Sequence, residues 1–135
     1  MDEALELEAG HKVLEIGAGS GWHAATIAEI VAPSDLPKEA SGHVYSVEIV
    51  SELAMFAREN IQKAGYADRV TVICDDGSQG YVREAPYDRV LVTAAAPQVP
   101  KPLTEQLKNG GVLVIPVGGT YFFQSLLRIR KEDEC

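Results

Sequence analysis

The sequence contains 135 residues, of which 46% are hydrophobic and 24% are charged, and its formal net charge is −8. This size and composition predict one globular domain spanning residues 1–135. The acidic excess, with no basic run interleaved with aromatic residues, argues against nucleic acid as a partner. Because no apolar run is long enough to cross a bilayer and the N-terminus lacks the layout of a signal peptide, we expect no membrane partner and a cytoplasmic location.

In chain order, apolar runs alternate with amphipathic segments. Residues 2–8 are typical of the end of a helix, which Gly10 terminates. Strands are predicted at residues 12–16, 42–47, 70–74, 87–93, 111–117 and 122–129, and helices at 22–31, 51–64 and 102–107. Ser51 is the expected N-cap of the second helix, whose apolar face includes Leu53. This alternation predicts an α/β fold, a mostly parallel, doubly wound Rossmann-like sheet with helices on both faces.

The cysteines and histidines predict no metal site. Cys74, in a predicted strand, and Cys135, at the last position, stand in no metal-binding or redox spacing. His11, His23 and His43 are far apart in sequence and form no ligand pattern. We expect Cys74 to be a small core residue, and His23 to lie on a helix surface or at the rim of a site.

The first strand leads directly into a glycine-rich turn at residues 17–21. Glycines at alternate positions let the backbone turn sharply and approach a ligand without Cβ clashes. The helix predicted to begin at Trp22 directs its free N–H groups at this turn. Strand, turn and helix N-terminus together are typical of a socket for a nucleotide-like ligand, and an ordinary tight turn in an α/β protein is the alternative.

The glycine spacing distinguishes two kinds of nucleotide ligand. Dinucleotide sites have the pattern G-x-G-x-x-G, whereas residues 17–21 have G-x-G-x-G, with Glu15 two positions before the first glycine. An acidic side chain beside the turn suits a ligand that carries positive charge and repels a diphosphate. The pattern is therefore similar to the S-adenosylmethionine (AdoMet) site of Rossmann-like methyltransferases, and an NAD-linked oxidoreductase is the alternative.

Three further predicted strands end in groups that suit an adenosine and a second substrate. Glu48 follows the second strand and can accept two hydrogen bonds from a ribose diol. Asp76, with Gly77, follows the third strand and can accept a hydrogen bond from the adenine amine. The small residues at 93–97 follow the fourth strand and leave room for a second substrate. The ordinary alternatives are that Glu48 is an acid at a helix N-terminus, that Asp76 is a turn former and that the alanines at 94–96 are packing residues.

Several longer stretches resemble the protein-L-isoaspartate O-methyltransferase family. The matching stretches are residues 13–22, 44–49, 76–81, 85–90, 92–97, 106–111 and 115–118. The first and third are shared by many AdoMet enzymes, whereas Ala-Pro-Tyr-Asp at 85–88 and Thr-Ala-Ala-Ala-Pro at 93–97 are more particular to this family. The resemblance extends from about Gly10 to about Arg130.

The resemblance implies a repair enzyme that methylates the α-carboxylate of L-isoaspartyl residues, or the β-carboxylate of D-aspartyl residues, in damaged proteins and peptides. The methyl donor is AdoMet, and the product is S-adenosyl-L-homocysteine. The residues that this implies for the cofactor are Glu15, Gly17, Ala18, Gly19, Glu48, Ile49, Asp76 and Gly77. Those implied near the bound peptide are Thr93, Ala94, Ala95 and Gln124.

No catalytic base is assigned. A substrate carboxylate has a pKa of about 4, so it is already anionic at neutral pH and can attack a sulfonium methyl directly. No histidine, lysine or cysteine is needed to remove a proton. We therefore expect the rate to come from holding oxygen, methyl carbon and sulfur in line.

The sequence departs from the family pattern in three places. It begins after the N-terminal helical segment with its Gly-Gln-Thr-Ile-Ser-type stretch, and it stops before the Arg-Phe-Val-Pro-Leu-type strand. Asp75 stands where the family usually has glycine. We expect an open cofactor site with weak binding, weak or absent activity, and exposed apolar surface that favours a homo-oligomer. The alternatives are an AdoMet enzyme acting on another acceptor and a domain that binds without turnover.

Overall fold

The computed structural model describes residues 5–93, 98–118 and 124–132, with backbone alone for residues 124 and 125. The strands in these ranges are β1 (Lys12–Ile16), β2 (His43–Glu48), β3 (Val70–Cys74), β4 (Tyr87–Val92), β5 (Leu107–Gly118) and β6 (Gln124–Arg130). The α-helices are α1 (Trp22–Val31), α2 (Ser51–Lys63) and α3 (Lys101–Glu105). Short 3-10 turns lie at Lys38–Ala40, Gly77–Gln79 and Val82–Glu84.

The strands form one sheet in the order β3-β2-β1-β4-β5-β6. Neighbouring strands are parallel except β5 and β6, which run antiparallel. The winding reverses between β1 and β4, where Ile16 lies level with Val47 on one side and Val92 on the other. Such a reversal opens a crevice at the carboxyl ends of the strands, where open α/β sheets bind ligands. The predicted mostly parallel, doubly wound sheet is confirmed.

Apolar side chains cover both faces of this sheet. On one face, Ile27 of α1 and Ile61 of α2 pack into a buried cluster with Val13 of β1. On the other face, Leu103 of α3 packs into a second cluster with Leu14 of β1. Val13 and Leu14 belong to different clusters because successive residues of a strand point to opposite faces. Helices therefore lie on both faces, as the sequence predicts.

Two expectations for α2 are wrong. Ser51 is the first residue of the helix and does not cap it, because Val50 occupies the N-cap and makes no side-chain cap bond. The Val50 N–H instead donates to Glu48 Oε2 at 3.1 Å. Leu53 is exposed, and the buried residues of this helix are Ala54, Ala57 and Ile61.

Two expectations about strands are also wrong. Cys74 is exposed rather than in the core, because it is the last residue of β3 and β3 is an edge strand. The fifth strand begins at Leu107 rather than at residue 111, and it includes Asn109 and Gly110. Its pairing with β4 shifts register, since Tyr87 pairs with Leu107 but Arg89 pairs with Val112. The irregular pairing accommodates the extra residues of β5.

Arg89 holds the first described residues against the amino end of the sheet. Its guanidinium donates to the backbone oxygens of Leu5 at 2.5 Å and Glu6 at 3.2 Å. Burial lowers the pKa of Arg89 from its ordinary value, and the three carbonyl bonds that it makes compensate its loss of water. The carboxylate of Glu6 contacts Arg128 and Arg130 of β6.

Residues 2–4 of the helix end predicted for residues 2–8 lie outside the described residues, and of residues 5–8 only Leu5 is helical. Leu5 is fully buried, and Gly10 follows in the left-handed region with a φ of +91°. In the described part of the chain, no helix has both the length and the apolar character needed to cross a membrane.

Candidate functional site

A cavity of about 420 Å³ opens at the carboxyl ends of β1, β2, β3 and β4. The residues that line it are Ile16, Gly17, Gly19, Val47, Glu48, Ile49, Asp76, Gly77, Ser78 and Thr93. Its volume lies within the range of about 300–1,000 Å³ that is typical of sites for small molecules and cofactors. The structure thus brings together predicted residues from four separate strand ends.

A second cavity, of about 450 Å³, lies at the other end of the sheet. It is lined by the loop that follows α1, with Pro33 and Lys38, and by residues at the amino ends of β2 and β3, such as His43 and Arg69. Although it is slightly larger, it lies away from the winding reversal and contains none of the predicted site residues. We therefore take the cavity of about 420 Å³ as the candidate site and name it the strand-end cavity.

The glycine turn forms one wall of the strand-end cavity. Gly17 has a φ of +100°, and its N–H donates to Val47 O at 2.7 Å. Thr93 Oγ1 donates to Ile16 O at 2.9 Å, with Gly17 O at 3.3 Å. A Cβ on residue 17 would lie 2.3 Å from Thr93 Oγ1. Glycine is therefore required here both by the backbone conformation and by the close approach of β4.

Glu48 connects this turn to the start of α2. Its carboxylate is nearly buried, with Oε1 accepting the Gly19 N–H at 3.2 Å and Oε2 accepting the Val50 N–H at 3.1 Å. Each carboxylate oxygen has a second lone pair, so it can still accept a hydrogen bond from a hydroxyl of a ribose diol in the cavity. Glu48 can be both a ribose acceptor and an acid at a helix N-terminus, because its side chain lies beside the start of α2 and also lines the cavity.

Asp76 and Gly77, which follow β3, also line the strand-end cavity. Asp76 Oδ1 accepts hydrogen bonds from Ser78 Oγ at 2.8 Å and from Ser78 N at 3.0 Å. These bonds, the hydroxyl bond first, lower the pKa of Asp76 from its ordinary value. A Cβ on residue 77 would lie 2.3 Å from Ile16 Cγ2, so the backbone here packs directly on the end of β1. Asp76 therefore presents an ionised acceptor at neutral pH.

Replacing Ser78 by alanine is expected to raise the pKa of Asp76 toward its ordinary value, because the hydroxyl donor is the largest cause of the lowering. The carboxylate acceptor would then be lost at a higher pH as the solution is acidified. A carboxyl titration by NMR measures the pKa directly. Ser34→Ala, in the loop beside the second cavity, is the matched control. An unaltered titration of Asp76 in Ser78→Ala would contradict this account.

Gln106, for which the sequence predicts no role, holds the segment that follows Asp76 in place. Its Oε1 accepts the Tyr81 N–H at 2.9 Å, and its Nε2 donates to Gln79 O at 2.9 Å. A Cβ on Gly80 would lie 2.2 Å from Gln106 Oε1. The side chain, nearly buried at the end of α3, therefore anchors the segment that follows Asp76. The position of Gln106, a polar residue directly before a strand, was the one sequence feature that could have indicated this role.

Glu15 and Ala18 lie behind the turn rather than in the lining of the strand-end cavity. Glu15 is fully buried, since it points to the same face of β1 as Val13, whereas Ile16 lines the cavity. Its Oε1 accepts a hydrogen bond from Ser46 Oγ at 2.6 Å, and Oε2 lies 3.1 Å from His23 Nδ1. Ala18 is buried in the cluster beneath α1 and α2.

Some predicted site residues lie outside the described part of the chain. These are Ala94 and Ala95, together with the side chain of Gln124, whose backbone pairs with Gly118 at the start of β6. Thr93 lines the cavity. Within the described residues, no group of three or more histidine, cysteine, aspartate or glutamate side chains is placed to hold a metal ion.

The strand order, the glycine turn after β1 and the acidic residues at the ends of β2 and β3 define a Rossmann-like methyltransferase core. A solved protein-L-isoaspartate O-methyltransferase is similar, with a TM-score of 0.85 and 32% identity, over 97% of this chain and 39% of that one. A methyltransferase of Geobacter sulfurreducens, solved with S-adenosyl-L-homocysteine, has a TM-score of 0.65 and 26% identity, over 84% of this chain and 44% of that one.

The chain belongs to the protein-L-isoaspartate(D-aspartate) O-methyltransferase family, whose model matches residues 1–135. It is 58% identical over 133 residues to the protein-L-isoaspartate O-methyltransferase of Hyperthermus butylicus, covering 98% of this chain and 55% of that protein. The chain thus spans about half the length of the curated relatives that it matches. The resemblance identified from the sequence is confirmed.

Proposed function

We propose that residues 1–135 form one AdoMet-binding core domain and that the protein transfers a methyl group to the carboxylate of isoaspartyl residues in damaged proteins. The observation that carries this proposal is the strand-end cavity, which Glu48 and Asp76 line together with Gly17 and Gly19 of the glycine turn. Membership of the protein-L-isoaspartate(D-aspartate) O-methyltransferase family supports the isoaspartyl carboxylate as the methyl acceptor. The free thiol of Cys74 fits a reducing cytoplasm.

The residues of the cavity fit the parts of AdoMet. Glu48 has lone pairs for a ribose diol, and Asp76 has an ionised carboxylate for the adenine amine. Outside residues 18–20, no heavy atom lies within 4 Å of the position that a Cβ on Gly19 would occupy, so the turn leaves room for the methionine part of the ligand. When bound, AdoMet supplies an activated methyl group on a sulfonium.

The chain's own contribution to the reaction is binding and orientation. A peptide carboxylate is ionised at neutral pH, since its pKa is about 4, so no side chain has to accept a proton. Holding the reacting groups in line contributes up to about 7–11 kcal/mol to lowering the barrier. The small residues at 94–96 are proposed to leave space for the acceptor beside Thr93.

The test is methyl transfer from radiolabelled AdoMet to a peptide containing one isoaspartyl residue, compared with its normal aspartyl twin. Label is expected in the isoaspartyl peptide alone, because its free α-carboxylate is the accepted group. Equal labelling of both peptides, or labelling of neither when AdoMet is bound, would contradict the proposed acceptor. Calorimetry on the same preparation separates binding from turnover.

A second candidate is a domain that binds AdoMet without turnover or acts on another acceptor. It is favoured by the exposure of large apolar side chains at the cavity, since Ile49, which lines it, is 66% exposed and the next residue, Val50, is also exposed. An open site buries less of a ligand and so binds it more weakly. The same surface favours a homo-oligomer, which sedimentation at increasing concentration would detect. Binding without labelled peptide is the outcome that selects this candidate.

A further inference from the structure

Beneath the glycine turn, three polar side chains from three elements form one hydrogen-bonded set. Glu15 belongs to β1, Ser46 to β2 and His23 to α1. Ser46 Oγ donates to Glu15 Oε1 at 2.6 Å, and His23 Nδ1 lies 3.1 Å from Glu15 Oε2. A carboxylate oxygen is an acceptor, so the imidazole donates through Nδ1. Both oxygens of Glu15 thus have partners in the protein.

The Glu15–His23 bond joins the two ends of the glycine turn. Glu15 is the residue before the last of β1, and His23 is the second residue of α1, so the bond spans all of residues 17–21. The hydroxyl of Ser46 fixes the carboxylate from the neighbouring strand. This contact therefore restrains the distance between the end of β1 and the start of α1, and the turn between them lines the strand-end cavity.

Burial makes this arrangement costly unless its bonds are kept. Glu15 and Ser46 are both fully buried. A carboxyl group taken out of water is destabilising unless it is hydrogen-bonded, and an apolar side chain would avoid that cost. Valine, for example, would suit a central strand and would pack with Val13 on the same face. Because an apolar residue would stabilise the core more, we attribute the polar side chains to the bond that they make across the turn.

We propose that His23 is a positioning residue for the cofactor site. Through its Nδ1 bond to Glu15, it holds the glycine turn in the conformation that receives the ligand. This inference rests on the proposed function, since it takes AdoMet as the ligand of the strand-end cavity. It assigns His23 no proton transfer and no direct contact with a ligand.

The test compares two variants of the full chain that differ in one hydrogen-bond donor. His23→Asn keeps an N–H donor near the position of Nδ1, whereas His23→Leu has similar bulk and no donor. We expect His23→Leu to weaken S-adenosyl-L-homocysteine binding about tenfold, as loss of one hydrogen bond to a charged group would, and His23→Asn to recover most of it. Calorimetry gives the dissociation constants.

His43→Leu is the matched control, because His43 also makes a side-chain hydrogen bond, with the hydroxyl of Thr71 at 2.8 Å, but at the other end of β2. Thermal unfolding of each chain without ligand shows whether an effect is merely structural, since a loss of stability alone would lower the melting temperature at unchanged affinity. Equal affinity of His23→Leu and the unaltered chain overturns the inference. So does equal weakening by leucine and asparagine.

Two further outcomes are distinguishable. If the unaltered chain does not bind S-adenosyl-L-homocysteine at all, the proposed function fails and this inference fails with it. If His23→Leu does not fold, His23→Ala is used, because it also removes the Nδ1 donor and leaves the bond from Ser46 to Glu15 in place. Weaker ligand binding by His23→Ala than by His23→Asn supports the positioning role, and equal binding overturns it.

Discussion

Replacing Gly17 by alanine is expected to abolish measurable AdoMet binding and to lower the free energy of unfolding by about 2–4 kcal/mol. Part of this cost comes from the φ of +100°, which an L side chain rarely adopts. The rest comes from the new methyl group, which would lie 2.3 Å from Thr93 Oγ1 and push β4 away from the turn. Urea unfolding measures the stability, and calorimetry measures the ligand affinity.

Gly65→Ala separates the two costs. Gly65 has a similar φ of +82°, but a Cβ there would have no heavy atom within 4 Å outside residues 64–66. The free energy of unfolding of Gly65→Ala should therefore fall by about 1–2 kcal/mol, which is the cost of the backbone conformation alone, and its ligand affinity should not change. Adding Thr93→Ala to Gly17→Ala removes the clashing oxygen and should recover part of the stability. If the Gly17 and Gly65 variants are equally stable, the close approach of β4 does not constrain the turn.

Replacing Glu48 by glutamine is expected to weaken AdoMet binding by about 10- to 100-fold, as loss of a hydrogen bond to a charged group would. Each Glu48 oxygen accepts a backbone N–H, one from Gly19 and one from Val50. A glutamine has one oxygen and one NH₂ group, so one of these donors would face another donor. The unfolding free energy should also fall, by about 1–3 kcal/mol for one unsatisfied buried group.

Glu52→Gln is the matched control for this variant, since Glu52 is an exposed acid in the first turn of the same helix. Its stability should change by less than about 0.5 kcal/mol, and its affinity should not change. Calorimetry and urea unfolding on both variants give the comparison. If Glu48→Gln binds as tightly as the unaltered chain, Glu48 is a helix N-terminal acid alone and the ribose assignment is wrong.

The sequence predicts the parts of the fold that local pattern determines. The bounds of α1 at Trp22 and Val31 are predicted to the residue, because a glycine turn precedes the helix and a proline follows it at residue 33. The bounds of β3 are predicted equally well. Both elements follow from the spacing of apolar side chains and from residues that stop regular structure.

Features that depend on the assembled sheet could not be predicted from local sequence pattern. The exposure of Cys74 follows from the position of β3 at the edge, which sequence order does not reveal. The early start of β5 depends on a register shift against β4. The partners of Glu15 are another case, since Ser46 and His23 meet it only when β2 and α1 pack on β1. Side-chain alternation in β1 would, however, have placed Glu15 and Ile16 on opposite faces.

The contacts of Glu6 have a consequence for how the chain folds during synthesis. Its backbone oxygen binds Arg89, and its carboxylate contacts Arg128 and Arg130, so the start of the described chain is joined to its final strand. Contacts of such long sequence separation form slowly, because the intervening chain must first lose its freedom. In a nascent chain, the bond between Glu6 and Arg89 can form once β4 has left the ribosome, but the contacts of Glu6 with Arg128 and Arg130 form only after β6 has emerged.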